Sequence, residues 1–243
     1  MTPELLPDQD LHRALVVVAH PDDVDFAAAG TVARWTAAGA TVVYCVVTDG
    51  EAGFDDDAGD RRVRASIRRA EQLAAGRAVG VTDIRFLGCP DGELTVSLDL
   101  RRDITRVIRE VRPNRVLTHS PEIAWEMPAA SHPDHRATGE ATLGAVYPDA
   151  RNPLAHRRLL TDEKLAAWPV RELWVMGGPR SNHHPDITDT FDRKVAALRA
   201  HRSQVGDAGV LVERLRDRHA DLAGATGLPA GRLAERFLAT VFG

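Results

Sequence analysis

Short, continuous apolar runs alternate with amphipathic stretches along most of this chain, and this alternation limits the folds open to it. The runs at 14–19 and 41–48 are rich in valine, as is typical of strands buried on both faces of a parallel sheet. Between them, residues 26–38 show the apolar spacing of a helix and end at Gly39. We therefore predict a βαβ unit near the start of the chain.

The same alternation continues toward the C-terminus. It predicts further helices over 61–79, 99–111, 133–146 and 191–202, and strands over 83–87, 115–118 and 173–176. The strand at 173–176 is expected to be the last, with two more helical segments after the helix at 191–202. The predicted fold is of the α/β class, with a mainly parallel sheet covered by helices on both faces. We expect one domain over 1–243, with a core at about 14–205 and C-terminal helices at 206–243.

Charge and cysteine content limit the kinds of binding partner and the cellular compartment expected for this chain. The chain has 31 basic and 35 acidic residues, a net charge of −4, and the two signs are mixed, so no nucleic-acid partner is expected. The run at 14–19 is too short to cross a membrane and lacks a signal-peptide pattern, so we expect a cytoplasmic protein without membrane association. Cys45 and Cys89 form no paired-thiol motif, and both are expected to be free thiols. The sequence leaves open a homo-oligomer.

Ligands of open α/β sheets bind outside the carboxyl ends of the strands, which directs attention to the loops there. The first such loop is His20-Pro21-Asp22-Asp23, where a dinucleotide-binding domain would have glycines. One imidazole and two carboxylates within four residues favour a cation site over a phosphate site. Taken alone, the motif is equally consistent with Asp22 or Asp23 capping the following helix.

A second motif, His132-Pro133-Asp134-His135, opens a helix after another strand-following loop. If the strands ending at Ala19 and Thr118 are neighbours, then His20, Asp23 and His135 can converge on one metal ion. Two histidines and a carboxylate, with a fourth position for water, form the ligand set of a catalytic zinc site. The alternative is that His132 and His135 are surface residues at a helix start. Two clusters of this kind at strand ends favour the metal site.

Further polar residues are expected near the same edge of the sheet. Asp49 and Asp91 lie in Gly- and Asp-rich loops that could bind a polyhydroxylated substrate, although such loops are usually turns. Arg68 is a further candidate for substrate binding; the alternatives are that it pairs with Glu71 along a helix or braces these loops from below. We also expect His184 and His201 to contact substrate; the alternatives are that His184 belongs to a structural turn and that His201 points to solvent. The other histidines are expected to be solvated or bonded to neighbours: His12, His119, His156, His183 and His219. Loops 51–60, 121–131 and 147–170 are expected to line the entrance.

Five elements together make the pattern specific: Ala19-His20-Pro21-Asp22-Asp23, Thr48-Asp49-Gly50, Arg68 with Glu71, Phe86-Leu87-Gly88 before Pro90-Asp91-Gly92, and His132-Pro133-Asp134-His135. Over about residues 14–205 the chain resembles the LmbE-like, or PIG-L, family of metal-dependent N-acetylglucosaminyl deacetylases. The resemblance implies a Rossmann-like three-layer sandwich and removal of an N-acyl group, by default acetyl, from an amino sugar or its conjugate. A small-molecule N-acyl amino sugar is therefore the expected partner.

The resemblance also implies roles for individual residues. His20, Asp23 and His135 would hold Zn²⁺, or another divalent metal such as Fe²⁺. Asp22 would be the general base, and His132 would stabilise the oxyanion. The sequence departs from the family pattern at Val24, where many members are acidic, and at Ala130, where some deacetylases have a tyrosine.

Three other functions use the same residues. Amidases of thiol or natural-product conjugates share the family motifs. His20, Asp22 and His135 also match the facial triad of a non-haem iron oxygenase, but those enzymes have all-β jelly-roll folds. A third alternative is a catalytically inactive carbohydrate- or nucleotide-binding module, which would require a vestigial metal site although no ligand or base is missing.

Overall fold

A computed structural model describes residues 4–54, 59–206 and 208–242, and its centre is one six-stranded sheet. The strand order is β3-β2-β1-β4-β5-β6, in which β1 to β5 are parallel and β6 is antiparallel to β5. The strands are β1 (Arg13–Val18), β2 (Thr41–Thr48), β3 (Asp83–Cys89), β4 (Arg115–His119), β5 (Glu172–Met176) and β6 (Leu238–Val241). This confirms the predicted α/β sandwich with a mainly parallel sheet.

Helices cover both faces of the sheet. They are α1 (Asp23–Ala27), α2 (Ala29–Ala37), α3 (Arg61–Ala78), α4 (Leu98–Val111), α5 (Pro133–Gly144), α6 (Arg157–Thr161), α7 (Phe191–Leu198) and α8 (Ala208–Ala225). No helix within the described ranges is long and apolar enough to cross a bilayer.

Successive residues of the central strands enter two different cores, because side chains alternate across a strand. Val16 and Val18 of β1 pack with Trp35 of α2 on one face. Leu15 and Val17 pack on the other face against α4 and α5. Burial on both faces explains why β1 and β2 are continuously apolar, as the sequence indicated.

The site is placed by the direct pairing of β1 with β4. Val17 lies opposite Thr118, so the carboxyl ends of these strands meet, as the convergence of the two motifs requires. The chain leaves β1 toward β2 on one side, whereas β4 lies on the other side. A ligand crevice forms at such a reversal of strand order.

Two sequence predictions about the helices and strands are wrong. The helix expected over 26–38 is α1 followed by α2, because Ala28 between them has the non-helical φ of −144°. The C-terminal part contains α8 and then β6, in place of two helices, and β5 is not the last strand. A four-residue strand shows too little periodicity to be recognised without its partner β5.

Two further expectations bear on function. The parallel sheet differs from the jelly roll on which the iron-oxygenase interpretation depends, so that interpretation loses its support. Of the expected entrance loop at 51–60, residues 55–58 lie outside the described residues.

Candidate metal centre

The two predicted motifs meet in one cluster at the ends of β1 and β4. His20 Nδ1 lies 3.2 Å from His135 Nε2 and 3.5 Å from Asp23 Oδ2. His135 Nε2 is 3.0 Å from Asp23 Oδ1. Ligand atoms bound tetrahedrally to zinc at about 2.0–2.1 Å are about 3.3 Å apart. The spacing between the two imidazole nitrogens matches this value, and each nitrogen lies within 3.5 Å of a different oxygen of the Asp23 carboxylate.

The outer nitrogens of both rings are also engaged in the way that metal-binding histidines usually are. His20 Nε2 faces Asp91 Oδ1 at 3.0 Å and Asp134 Oδ2 at 3.3 Å. His135 Nδ1 lies 3.3 Å from the carbonyl oxygen of Ala130. These contacts leave His20 Nδ1 and His135 Nε2 directed at Asp23.

The cluster is rich in negative charge. Burial disfavours a charged His20, but Asp23, Asp134 and Asp91 outweigh this and raise the pKa of His20 to about 12. The protein thus surrounds one imidazole with three carboxylates, and a positive charge is needed to balance them. A divalent cation suits this set of nitrogen and oxygen donors.

His119 belongs to the same cluster, although it was expected to be an ordinary solvated or satisfied histidine. Its Nε2 is 3.0 Å from Asp23 Oδ2 and 3.2 Å from the amide nitrogen of Ala19. Its ring stacks on His135 with a centroid distance of 4.1 Å. Asp23, His119 and His135 could also hold a metal ion by spacing. The sequence feature that could have identified His119 is its position directly after the predicted strand at 115–118, at the same edge of the sheet as the two motifs.

Asp22 sits at the N-cap position of α1 but does not cap it, so the capping interpretation fails for this residue. Its side chain makes no capping bond, and its backbone is left-handed, with φ 92°. Arg68 donates to Asp22 Oδ2 at 3.1 Å and to the carbonyl oxygen of Gly50 at 3.1 Å. Burial and the neighbouring Asp23 raise the pKa of Asp22 to about 7.

A buried network behind Asp22 fixes this unusual conformation. The amide of Asp22 donates to Gln72 Oε1 at 2.8 Å, and Gln72 Nε2 donates to Asp25 Oδ2 at 2.9 Å. His201 Nε2 lies 2.8 Å from the same Asp25 oxygen. His201 is fully buried here and bonded to Asp25, which differs from the expectation that it contacts substrate.

His132 stands beside the cluster and is exposed. Its Nδ1 accepts from the amide of Asp134 at 3.2 Å, which caps α5. A neutral ring that accepts at Nδ1 carries its proton at Nε2. Burial, then the charges of His20 and His135, lower the pKa of His132. The side chain can therefore donate one hydrogen bond while remaining uncharged.

Asp134 ties the loop at 90–93 to α5. It is fully buried and accepts from the amides of Gly92 at 2.8 Å and Leu94 at 3.2 Å. Asp91 in that loop accepts from the amide of Ala52 at 2.8 Å through its second oxygen. The two loops are thereby held together on one side of the cluster. We call Asp22, Arg68, Asp91 and His132 the polar side.

The remaining sequence-predicted contacts lie elsewhere. Asp49 is held by Arg69 through two hydrogen bonds of 2.7 and 2.6 Å. His184 contacts Ser181 Oγ at 3.0 Å and does not line the cavity described next. Arg68 braces the loops and does not pair with Glu71, which instead accepts from Ser203 at 2.8 Å.

A cavity of about 560 Å³ opens beside the cluster, and none of the four residues of the polar side lines it. Asp23, His119 and His135 form its inner end, and α8 forms one wall. The expected entrance loop at 121–131 contributes Met127 and Ala130, whereas none of the residues at 147–170 lines it. Its apolar side chains are Phe26, Ala27, Met127, Met176, Leu215 and Leu222.

Comparisons with known proteins agree with this geometry. The family described as "PIG-L: GlcNAc-PI de-N-acetylase" matches residues 15–146. A probable N-acetyl-alpha-D-glucosaminyl L-malate deacetylase 2 of Bacillus cereus is 35% identical over 199 residues, covering 79% of this chain and 83% of that protein. Diacetylchitobiose deacetylase of Thermococcus kodakarensis is 32% identical over 201 residues, covering 82% and 72%.

A solved structure shows the same fold over nearly the whole chain. It is the N,N'-diacetylchitobiose deacetylase of Pyrococcus horikoshii, determined as a complex with its inhibitor MPG. The TM-score is 0.87 at 30% identity, and the match covers 97% of this chain and 86% of that one.

Proposed function

This chain belongs to the PIG-L, or LmbE-like, family, and from that premise we propose that it is a metal-dependent hydrolase of N-acyl amino sugars. The substrate would be an N-acetylglucosamine-type sugar or its conjugate, and the products a carboxylate and a free amine. The observation that carries the proposal is the convergence of His20, Asp23 and His135, with Asp22 adjacent. Relatives named as deacetylases of such sugars support it.

We propose His20, Asp23 and His135 as the residues that would hold a divalent ion, with Zn²⁺ favoured by two nitrogens and one carboxylate. When bound, such an ion supplies Lewis acidity toward the scissile carbonyl. His119 keeps Asp23 oriented through its 3.0 Å contact. Asp134 and Asp91 do the same for His20.

Asp22 is proposed as the general base. It would take a proton from the attacking water and deliver it to the departing nitrogen as the C–N bond breaks. Arg68 and Gln72 hold the residue in place for both transfers. His132 would donate from Nε2 to the oxyanion, a contribution of about 2.7–4 kcal/mol for donors of this kind.

An amidase of a thiol or natural-product conjugate would use the same residues. Amide hydrolysis and specificity for an amino sugar are therefore tested separately. Cytoplasmic location and a homo-oligomeric state remain predictions.

The test combines metal analysis with an assay of amine release from N-acetylglucosamine and its conjugates. Asp22→Asn is expected to retain metal but lose about 10²–10⁴-fold in kcat, because the proton acceptor is gone. His135→Ala is expected to lose both metal and activity. His12→Ala, an exposed histidine outside the cluster, is the control and should retain both.

Normal metal content together with normal amine release in His135→Ala would contradict the proposal. Activity on other amides but on no amino sugar would favour the amidase alternative.

A further inference from the structure

We propose that the cavity beside the metal centre binds the acyl chain of the substrate, so that the protein removes N-acyl groups longer than acetyl. This inference rests on the proposed function and adds the substrate class. It starts from the apolar walls of the cavity, which continue directly from Asp23 and His135. One substituent of an amide held at the metal centre can therefore enter the cavity.

Apart from the candidate metal ligands and His119, the polar side chains of the lining are Glu235, Arg236, His219 and Arg218, and Arg218 donates to Met127 Sδ at 2.9 Å. Glu235 is paired with Lys194 at 2.7 Å, and Arg236 donates to the carbonyl oxygen of Pro179 at 3.3 Å. His219 Nδ1 bonds to the carbonyl oxygen of Ala234 at 2.6 Å, which leaves only Nε2 to accept a bond. A sugar ring, with several hydroxyl groups to satisfy, would lose hydrogen bonds there.

The polar side offers the opposite chemistry. His132 is exposed and is bonded within the protein through Nδ1, so its Nε2 can donate to a ligand. Beside it lie the loops at 50–53 and 90–93, which the buried side chains of Arg68 and Asp91 brace. An amide placed between the two sides has an acyl substituent and an amine substituent. The hydroxyl-rich amine substituent fits the polar side, so the acyl substituent is left for the cavity.

The size of the cavity indicates an acyl group larger than acetyl. An acetyl methyl group occupies about the volume of one water molecule, about 30 Å³ in the liquid. The cavity, at about 560 Å³, is many times larger. Phe26 and Leu215 from different elements line it, together with Met127, Met176 and Leu222. An alkyl chain would replace water against these side chains, which is favourable.

The reaction remains a hydrolysis for every chain length. Water adds its oxygen to the carbonyl carbon, the C–N bond breaks, and the proton from water goes to the amine. The longer carboxylate replaces acetate as product, and no further reactant is needed.

The experiment measures kcat/KM of the metal-loaded protein on N-acetyl-, N-butyryl-, N-hexanoyl- and N-octanoylglucosamine by amine release. Each methylene buried in the cavity is expected to raise kcat/KM about three- to fourfold until the cavity is filled. Hexanoyl has four more methylenes than acetyl, so a rise of about 80- to 250-fold is the expected result if all four enter the cavity.

Cavity-filling variants locate the effect. Leu222→Trp on α8 and Met127→Trp on the opposite loop should each lower the hexanoyl-to-acetyl ratio about tenfold, because the indole occupies the space of the chain. Val210→Trp makes a similar enlargement at an exposed position of α8 that does not line the cavity, and should leave the ratio unchanged. Thermal unfolding shows whether each variant is folded. Because the two substitutions lie on different walls of the cavity, one variant still tests the inference if the other fails to fold.

The outcomes separate the two proposals. Cleavage of the acetyl substrate with no gain, or a loss, for longer chains overturns this inference and leaves the proposed function intact. A gain that is insensitive to both cavity variants also overturns it. If none of the amides is cleaved, the proposed function fails and this inference fails with it.

Discussion

The polar side and the cavity, on either flank of the candidate metal centre, come from different parts of the chain and differ in how they are held. The polar side is built by motif residues at the ends of β1 and β4 and by loops packed on them, with Asp134 and Gln72 as buried anchors. The cavity is walled largely by segments without a motif, including α8 and the stretch around Glu235. The proposed chemistry therefore rests on the motif residues, whereas the proposed selection of the acyl group rests on residues outside the motifs.

The largest effect is expected where the cavity wall is anchored. Lys194 Nζ contacts Glu235 Oε1 and the carbonyl oxygen of Phe26, each at 2.7 Å, and both charged residues are fully buried. Lys194→Met leaves the carboxylate without its counter-charge, and the free energy of unfolding should fall by about 3–5 kcal/mol. Urea unfolding measures it.

The matched control is Arg180→Met, which removes an exposed pair with Glu122. That change should stay within about 0.5 kcal/mol. Equal losses in the two variants would mean that the buried pair does not hold the cavity wall.

On the polar side, His132→Ala tests the proposed oxyanion donor. We expect kcat to fall about 10²–10³-fold. The factor should be the same for every acyl chain, because the lost hydrogen bond lies outside the cavity. Metal content should be unchanged. A loss that depends on chain length would show that the two sides are not independent.

A smaller effect is expected from the network behind Asp22. Gln72→Leu leaves the Asp22 amide and Asp25 Oδ2 without this partner, at a cost of about 1–3 kcal/mol for a buried unpaired group. The kcat should fall as well, since Asp22 loses a contact that positions it. Gln204→Leu removes a hydrogen bond to Gly53 at the surface and serves as the control in thermal unfolding and turnover assays.

Acid should weaken the cavity wall as the buried carboxylate of Glu235 becomes protonated. Burial opposes the Glu235 carboxylate, but Lys194 and His219 outweigh this and lower its pKa below the ordinary 4.5. A lowered folded-state pKa stabilises the protein above the unfolded-state value, and this stabilisation is lost as the pH falls through the folded-state value.

Glu235→Gln, which carries no titrating group, should therefore differ most from wild type near pH 6, and the difference should narrow toward pH 3. Urea unfolding across this range measures it. A constant difference would contradict the ion-pair assignment.

The sequence predicted most of the polar side and little of the cavity. Continuous valine-rich runs marked β1 and β2, and the two motifs marked where the ligands leave the sheet. His119 was missed because a single histidine at the end of a strand has no motif, and only strand pairing brings it to Asp23. The short strand β6 and the α8 wall depend on contacts between distant residues, which local periodicity does not record.

The left-handed backbone of Asp22, with φ 92°, has a consequence for engineering. Glycine adopts this conformation freely, whereas another residue pays about 1–2 kcal/mol for it. A search for thermostable variants that ignores catalysis would therefore favour glycine at this position and discard the proposed proton carrier. Stability and turnover therefore place opposite demands on this residue. Directed evolution of this protein should keep Asp22 unchanged and select stabilising substitutions in the core, far from the site.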